Sequence, residues 1–118
     1  VSVMHINYEI ATSEPTKDVV KLLRERKRKI YFHVDAQSSY TKIPIDVQDF
    51  NIDLLTLSSH KIHGPKGVGA LYIRHGTKIE PILKGYISVQ RLRPGTENVP
   101  GIVGFAKAAE IALKKLRR

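Results

Sequence analysis

Lys61 closes the stretch Ser58-Ser59-His60-Lys61, directly after the apolar run Asp53-Leu54-Leu55-Thr56-Leu57. A second run, Ile30-Tyr31-Phe32-His33-Val34, leads into Asp35. Two short strand-like segments thus end in an amine and a carboxylate. Open α/β sheets bind ligands at the carboxyl ends of their strands. An amine and a carboxylate placed there match the needs of pyridoxal phosphate: a Lys for the Schiff base and an acid for the pyridine nitrogen. Adjacent strands lie about 4.8 Å apart, a gap that a pyridine ring can bridge. Taken singly, Asp35 reads as a turn residue and Lys61 as a surface amine. Motif logic alone leaves the cofactor site and these plainer readings open.

Other motifs compete for the chemistry and fall short. Gly64-Pro65-Lys66-Gly67-Val68-Gly69 is glycine-rich, but a Walker loop needs Gly-Lys-Ser/Thr opening a helix, and here a strand-like segment follows. Tyr72 stands where the third glycine of a dinucleotide fingerprint would fall. A tight turn is the better reading. His33, His60 and His63 lack the Cys or acidic partner that would complete a recognisable metal spacing. No G-x-S-x-G nucleophile elbow is present.

The elements that must position Asp35 and Lys61 follow from periodicity. Residues 1–6 read as a strand. Thr12-Ser13-Glu14-Pro15 supplies capping groups and a proline suited to a helix start, and Val19, Val20, Leu22 and Leu23 give that helix an apolar stripe over residues 16 to about 28. Residues 30–34 and 53–57 are the two site strands, and 47–51 suit a short helical turn. The connection after Lys61 is too short for a helical crossover, so the strand at 68–74 should run antiparallel to its predecessor. Residues 79–83 read as a short strand or extended segment, and 85–95 as an irregular loop. A final helix is expected from about 98 to 116, with Ile102, Phe105, Ala109, Ala112 and Leu116 on its buried face. The order β-α-β-loop-β-β-α predicts an α/β fold with a partial, mostly parallel sheet and flanking helices. Two main helices cannot cover both faces of such a sheet.

Composition sets the bounds. The 118 residues suffice for one ordinary domain, and a hydrophobic content of 42% permits a packed core. Cysteine is absent, which excludes a disulfide framework and a thiol nucleophile within this chain. No apolar run is long enough to span a bilayer, and no secretory signal pattern opens the sequence; a cytoplasmic protein without a membrane partner is the expectation. The net charge of +9 gathers in the run from Lys21 to Lys29 and in Lys114-Lys115-Leu116-Arg117-Arg118. Such a surface favours anionic partners. With no stacking aromatics interleaved, solvated helix ends explain it better than nucleic-acid binding. The chain opens at Val1 inside an apolar segment, which points to a fragment of something larger.

Nearly the whole chain resembles the cysteine desulfurases, within the class V aminotransferase group of fold-type-I pyridoxal phosphate enzymes. The resemblance is carried by Val1-Ser2-Val3-Met4-His5-Ile6-Asn7, Phe32-His33-Val34-Asp35-Ala36, Lys42-Ile43-Pro44-Ile45-Asp46, the run from Ser58 to Tyr72, and the run from Gly95 to Gly104. The Ser-x-His-Lys-x-x-Gly-Pro-Lys-Gly signature is the most specific. It implies that residues 1–118 form a central part of the cofactor-binding large domain, without its N-terminal part and the C-terminal small domain. It implies that Lys61 anchors pyridoxal 5'-phosphate and shuttles protons. Asp35 would pair with the ring nitrogen, Ser58 and His60 would contact the phosphate, and Thr96 would reach the phosphate of a cofactor in a partner subunit of a homodimer. The implied reaction converts L-cysteine to L-alanine and a persulfide, for iron–sulfur cluster assembly or tRNA thiolation, with a sulfur-acceptor scaffold as a partner.

Three departures stand out. Ser38 occupies the position where the family usually has Gln, with Gln37 one place early; Ser38 would then hydrogen-bond the cofactor's phenolic oxygen only with a shorter reach. Tyr8 replaces a second Asn. The stretch Gly85-Tyr86-Ile87-Ser88-Val89-Gln90-Arg91 replaces a glycine-rich substrate loop. The family's catalytic Cys, ring-stacking His and substrate-binding Arg fall outside this segment, so the chain alone is expected to be inactive. A non-catalytic remnant or basic binding module is the competing reading. Among enzymes, a selenocysteine lyase or another class V aminotransferase competes.

Overall fold

The computed structural model describes residues 1–83, 85 and 92–116. Its elements are β1 (Ser2–Met4), α1 (Thr16–Arg24), β2 (His33–Asp35), β3 (Leu54–Ser58), a 3-10 turn (Ser59–Ile62), β4 (Gly69–Ile73) and α2 (Val99–Leu116). One four-stranded sheet runs in the order β1-β2-β3-β4. β1, β2 and β3 are parallel, and β4 returns antiparallel from Ser58↔Gly69 to Leu54↔Ile73, as the short connection requires. The sheet is α/β and mostly parallel, as expected.

Alternation along the strands divides the sheet into two faces. Val34 and Leu55 point to one face, where they join Phe32, Ala36, Ile52 and Val20 of α1 in the core. His33, Asp35 and Thr56 therefore point to the other. α1 covers only the first face. It begins behind Pro15, carries Asp18 in its first turn and Lys21 and Arg24 in its last, as the helix dipole favours. It stops at Arg24 rather than near residue 28. Residues 25–29 are all charged and have nothing to bury, while Arg24 is tied to the Ile30 and Asn51 carbonyls at 2.9 and 3.0 Å.

The site strand is shifted relative to the sequence reading. β2 covers 33–35 instead of 30–34, because Phe32 N–H donates to the Asp53 carboxylate at 2.8 Å rather than to a strand. Asp35 is consequently the last ladder residue, facing Met4 and Thr56 in register, not a residue beyond the strand. Residues 47–51 form turns rather than helix, and 79–83 form no strand. Most of the loop expected at 85–95 lies outside the described residues.

α2 docks on the Lys61 turn through small residues. A Cβ on Gly101 would lie 2.4 Å from Val68 Cγ2, one on Gly104 3.0 Å from Pro65 Cγ, and one on Gly64 3.2 Å from Ala108 Cβ. This close approach rotates Gly101, Phe105 and Ala108 inward. Ile102, expected on the buried face, is instead 49% exposed. Phe105 is buried, and Ala109, Ala112 and Leu116 are half-buried.

Candidate cofactor site

Asp35 sits at the carboxyl end of β2, on the sheet face that α1 leaves open. Its Oδ1 accepts the Gln37 backbone N–H at 2.9 Å and its Oδ2 the Gln37 side-chain amide at 3.4 Å. This turn, continued by Tyr40 N–H to the Ala36 carbonyl at 2.8 Å, fixes the carboxylate and brings Ser38 round beside it. Lys61 lies within the 3-10 turn that follows β3, not on a loose strand end. Ser59, fully buried, anchors that turn by donating its N–H to Val68 O at 3.1 Å and accepting Gly64 N–H at 3.0 Å. His63 closes it in the left-handed region at φ 64°.

These pieces meet around one cavity of about 220 Å³. Asp35, Gln37, Ser38 and Lys61 line its polar side, and Met4, Ile6 and Tyr8 the rest. Met4 ends β1, Ile6 forms an isolated bridge to Ser13, and Tyr8 stands in the turn that follows. The Lys61 Nζ lies 5.6 Å from the centroid of the Tyr8 ring. β1 and β3 flank β2, so this contact arches over the strand end that carries Asp35. A larger depression of about 510 Å³ runs along α1, lined by Lys17, Lys21, Arg24 and Asp49. Its three cations are each in an ion pair, Lys17 with Asp49, Lys21 with Asp18 and Arg24 with Asp53.

The structure thus brings Asp35, Ser38 and Lys61 together. Ser58 and His60 stay beside the cavity as a pair, with Ser58 Oγ 3.0 Å from His60 Nδ1; neither lines it. Thr96 is exposed in the stretch leading into α2 and is not in the lining. Behind Asp35 the open face carries a polar belt: His33 joins Ser2 Oγ through Nδ1 and Thr56 Oγ1 through Nε2, each at 2.7 Å. Burial pushes the His33 imidazole below its ordinary pKa; the Asp35 carboxylate pulls it up and the terminal amine adds to the lowering. Among the described residues, no group of three or more His, Asp or Glu side chains could hold a metal ion, and no helix is long and apolar enough to cross a membrane.

Met4, Ile6, Tyr8 and Gln37 are lining residues to which the sequence assigned no site role. Alternation places Met4 on the Asp35 face of the sheet, but Tyr8 reaches the cavity from a turn that strand periodicity does not describe.

The family model for class-V aminotransferases matches residues 1–117. The chain belongs to the class-V aminotransferase family. Among the relatives of this class-V chain is a cysteine desulfurase IscS of Methanosarcina thermophila, 50% identical over 116 residues, which are 98% of this chain and 28% of the relative. A solved NifS-like protein superposes with a TM-score of 0.93 at 44% identity, over 99% of this chain and 32% of that one. A structure described as SspA in complex with cysteine matches with a TM-score of 0.83 at 42% identity, over 92% of this chain and 31% of that one. The class-V segment described here therefore spans less than a third of the length of these curated relatives.

Proposed function

We propose that this chain is the cofactor-gripping part of a pyridoxal phosphate-dependent cysteine desulfurase, a central segment of its large domain. The observation that carries the reading is the meeting of Asp35 and Lys61 in one cavity. The donor set fits the group. Asp35 is a carboxylate held in place by Gln37, suited to a protonated ring nitrogen. Lys61 supplies an amine for an aldehyde carbon. Met4 and Ile6 give an apolar wall for a flat ring, and Ser38 offers a hydroxyl toward a ring oxygen. Ser58 and His60, already paired at 3.0 Å, would hold the phosphate, and Thr96 would serve the phosphate site of a second copy in a homodimer.

When bound, pyridoxal phosphate supplies an electron sink for the α-carbon of an amino acid. Asp35 would keep the ring nitrogen charged, and Lys61 Nζ would anchor the group and take the α-proton of the substrate. The cysteine named with one structural relative and the activity named for the curated ones support L-cysteine as the substrate, with L-alanine and a persulfide as products. The chain has no cysteine, so the sulfur-accepting thiolate must come from elsewhere, and this chain alone should release no sulfide from L-cysteine. A cytoplasmic setting and delivery to a sulfur-accepting scaffold go with this reading.

The test is titration of the chain with pyridoxal phosphate, following the visible absorbance that an amine-bound cofactor gives. Lys61→Ala should abolish the band and Asp35→Ala should weaken it. A band that survives in Lys61→Ala would show that this amine is not the anchor.

A further inference from the structure

Tyr8 carries chemistry that the roles above do not use. It is a large aromatic left 65% exposed, so the core does not explain it. Its backbone is nonetheless fixed. Asn7 Oδ1 accepts the N–H groups of Glu9 and Ile10 at 2.9 and 3.3 Å. Asn7 N–H donates to Thr12 O at 2.9 Å, and Ile6 bridges to Ser13. A backbone so constrained narrows where the Tyr8 ring can reach. It presents its face to Lys61 Nζ at 5.6 Å from the ring centroid, and it is the aromatic side chain in the lining that also holds Asp35.

An aldehyde carbon bonded to Lys61 Nζ must lie within a bond length of an atom that already sits over the Tyr8 ring. A planar ring attached to that carbon, with its nitrogen directed at Asp35, must then pass close to Tyr8. Offset stacking and edge-to-face contacts are the favoured aromatic geometries at such separations. We infer that Tyr8 is a positioning residue that packs its ring against the flat heteroaromatic ring held between Asp35 and Lys61, restricting the tilt of that ring. The inference rests on the cofactor reading above and deepens it by assigning an aromatic wall to the same site. The phenol hydroxyl is not required; the π face is.

The experiment uses the intact 118-residue chain with pyridoxal phosphate as the probe. The captured fraction is fixed with borohydride and quantified by mass, and the visible circular dichroism is recorded before reduction. Tyr8 is exposed, so Tyr8→Phe and Tyr8→Ala should both fold; far-UV dichroism verifies this. Tyr8→Phe should match wild type in affinity and dichroism. Tyr8→Ala should bind about three- to tenfold more weakly, the scale of one aromatic contact, and should lose most of the visible dichroism per captured ring, because the ring is no longer held at one tilt. Equal or tighter capture by Tyr8→Ala with unchanged dichroism would overturn the inference and leave the Asp35–Lys61 reading standing. Failure of wild type itself to capture pyridoxal phosphate at Lys61 would overturn both.

Discussion

Replacing Asp53 by alanine should destabilise the fold by about 3 to 4 kcal/mol, and the structure shows where that figure comes from. Asp53 is 3% exposed, and its carboxylate accepts two hydrogen bonds with a second guanidinium nearby. Its Oδ2 accepts Phe32 N–H at 2.8 Å and Arg24 Nη2 at 2.8 Å, and Arg74 Nε stands 3.8 Å from Oδ1. Phe32 is fully buried, so alanine leaves its N–H without water or partner, at a cost of about 1 to 3 kcal/mol. Removing one partner of a buried ion pair costs about 3 to 5 kcal/mol in all, because the other charge is left uncompensated. Here the upper end does not apply. Arg24 keeps the carbonyls of Ile30 and Asn51, and Arg74 keeps those of Ile52 and Val47 at 2.8 and 2.7 Å. Asp53→Asn retains an acceptor for Phe32 N–H and loses only the charge, so it should cost about half as much, roughly 1.5 to 2 kcal/mol. Urea unfolding at neutral pH measures both, and a loss of 3 kcal/mol moves the midpoint by roughly 1 to 3 M at ordinary slopes. A loss under about 1 kcal/mol for alanine, or asparagine costing as much as alanine, would refute the assignment of this carboxylate as the clamp between β2 and β3.

Gly64→Ala would place a Cβ 2.3 Å from Ser59 Oγ and 3.0 Å from Ser59 O; it should cost about 1 to 3 kcal/mol. Adding Ser59→Ala should recover part of that loss, a coupling that a double-mutant cycle in urea reads directly. Stability should also fall on acidification from pH 8 to pH 5. Burial lowers the pKa of His5, and burial likewise leads the lowering for His33, from an ordinary value of 6.5. The unfolded chain therefore binds more protons than the folded one below that value. The contribution is fully present above pH 6.5 and is lost as pH falls through it toward the folded values. Urea midpoints that stay level or rise toward pH 5 would contradict this.

Part of the candidate site was legible in the sequence, because Asp35 and Lys61 depend on residue type at strand ends. Two apolar runs closing in Asp35 and Ser58-Ser59-His60-Lys61 are enough to place a carboxylate and an amine at the ends of neighbouring strands, and the short Gly64–Gly69 connection dictates an antiparallel β4. Less legible was anything set by a long-range partner. The start of β2 is moved by Asp53 capturing Phe32 N–H. The end of α1 is set by Arg24 reaching the carbonyls at 30 and 51. Neither is visible in local periodicity. The orientation of α2 escaped for a related reason: hydrophobic spacing favours Ile102, whereas glycines at 101 and 104 admit Val68 and Pro65 and turn that isoleucine outward. Tyr8 was visible as a departure from the family pattern, and its place beside Lys61 became visible only in the structure.

Lys61, which lines the same cavity as Asp35, is the amine proposed to grip an aldehyde cofactor. The chain has 20 Lys and Arg residues, so an absorbance change alone could come from surface lysines. The most direct measurement is borohydride fixation of the chain with a single equivalent of pyridoxal phosphate, followed by peptide mapping of the added mass. One dominant label is expected, on Lys61, sharply reduced in Asp35→Ala. Label spread across Lys21, Lys27, Lys66 and other surface amines, with no preference for residue 61 and no dependence on residue 35, would contradict it.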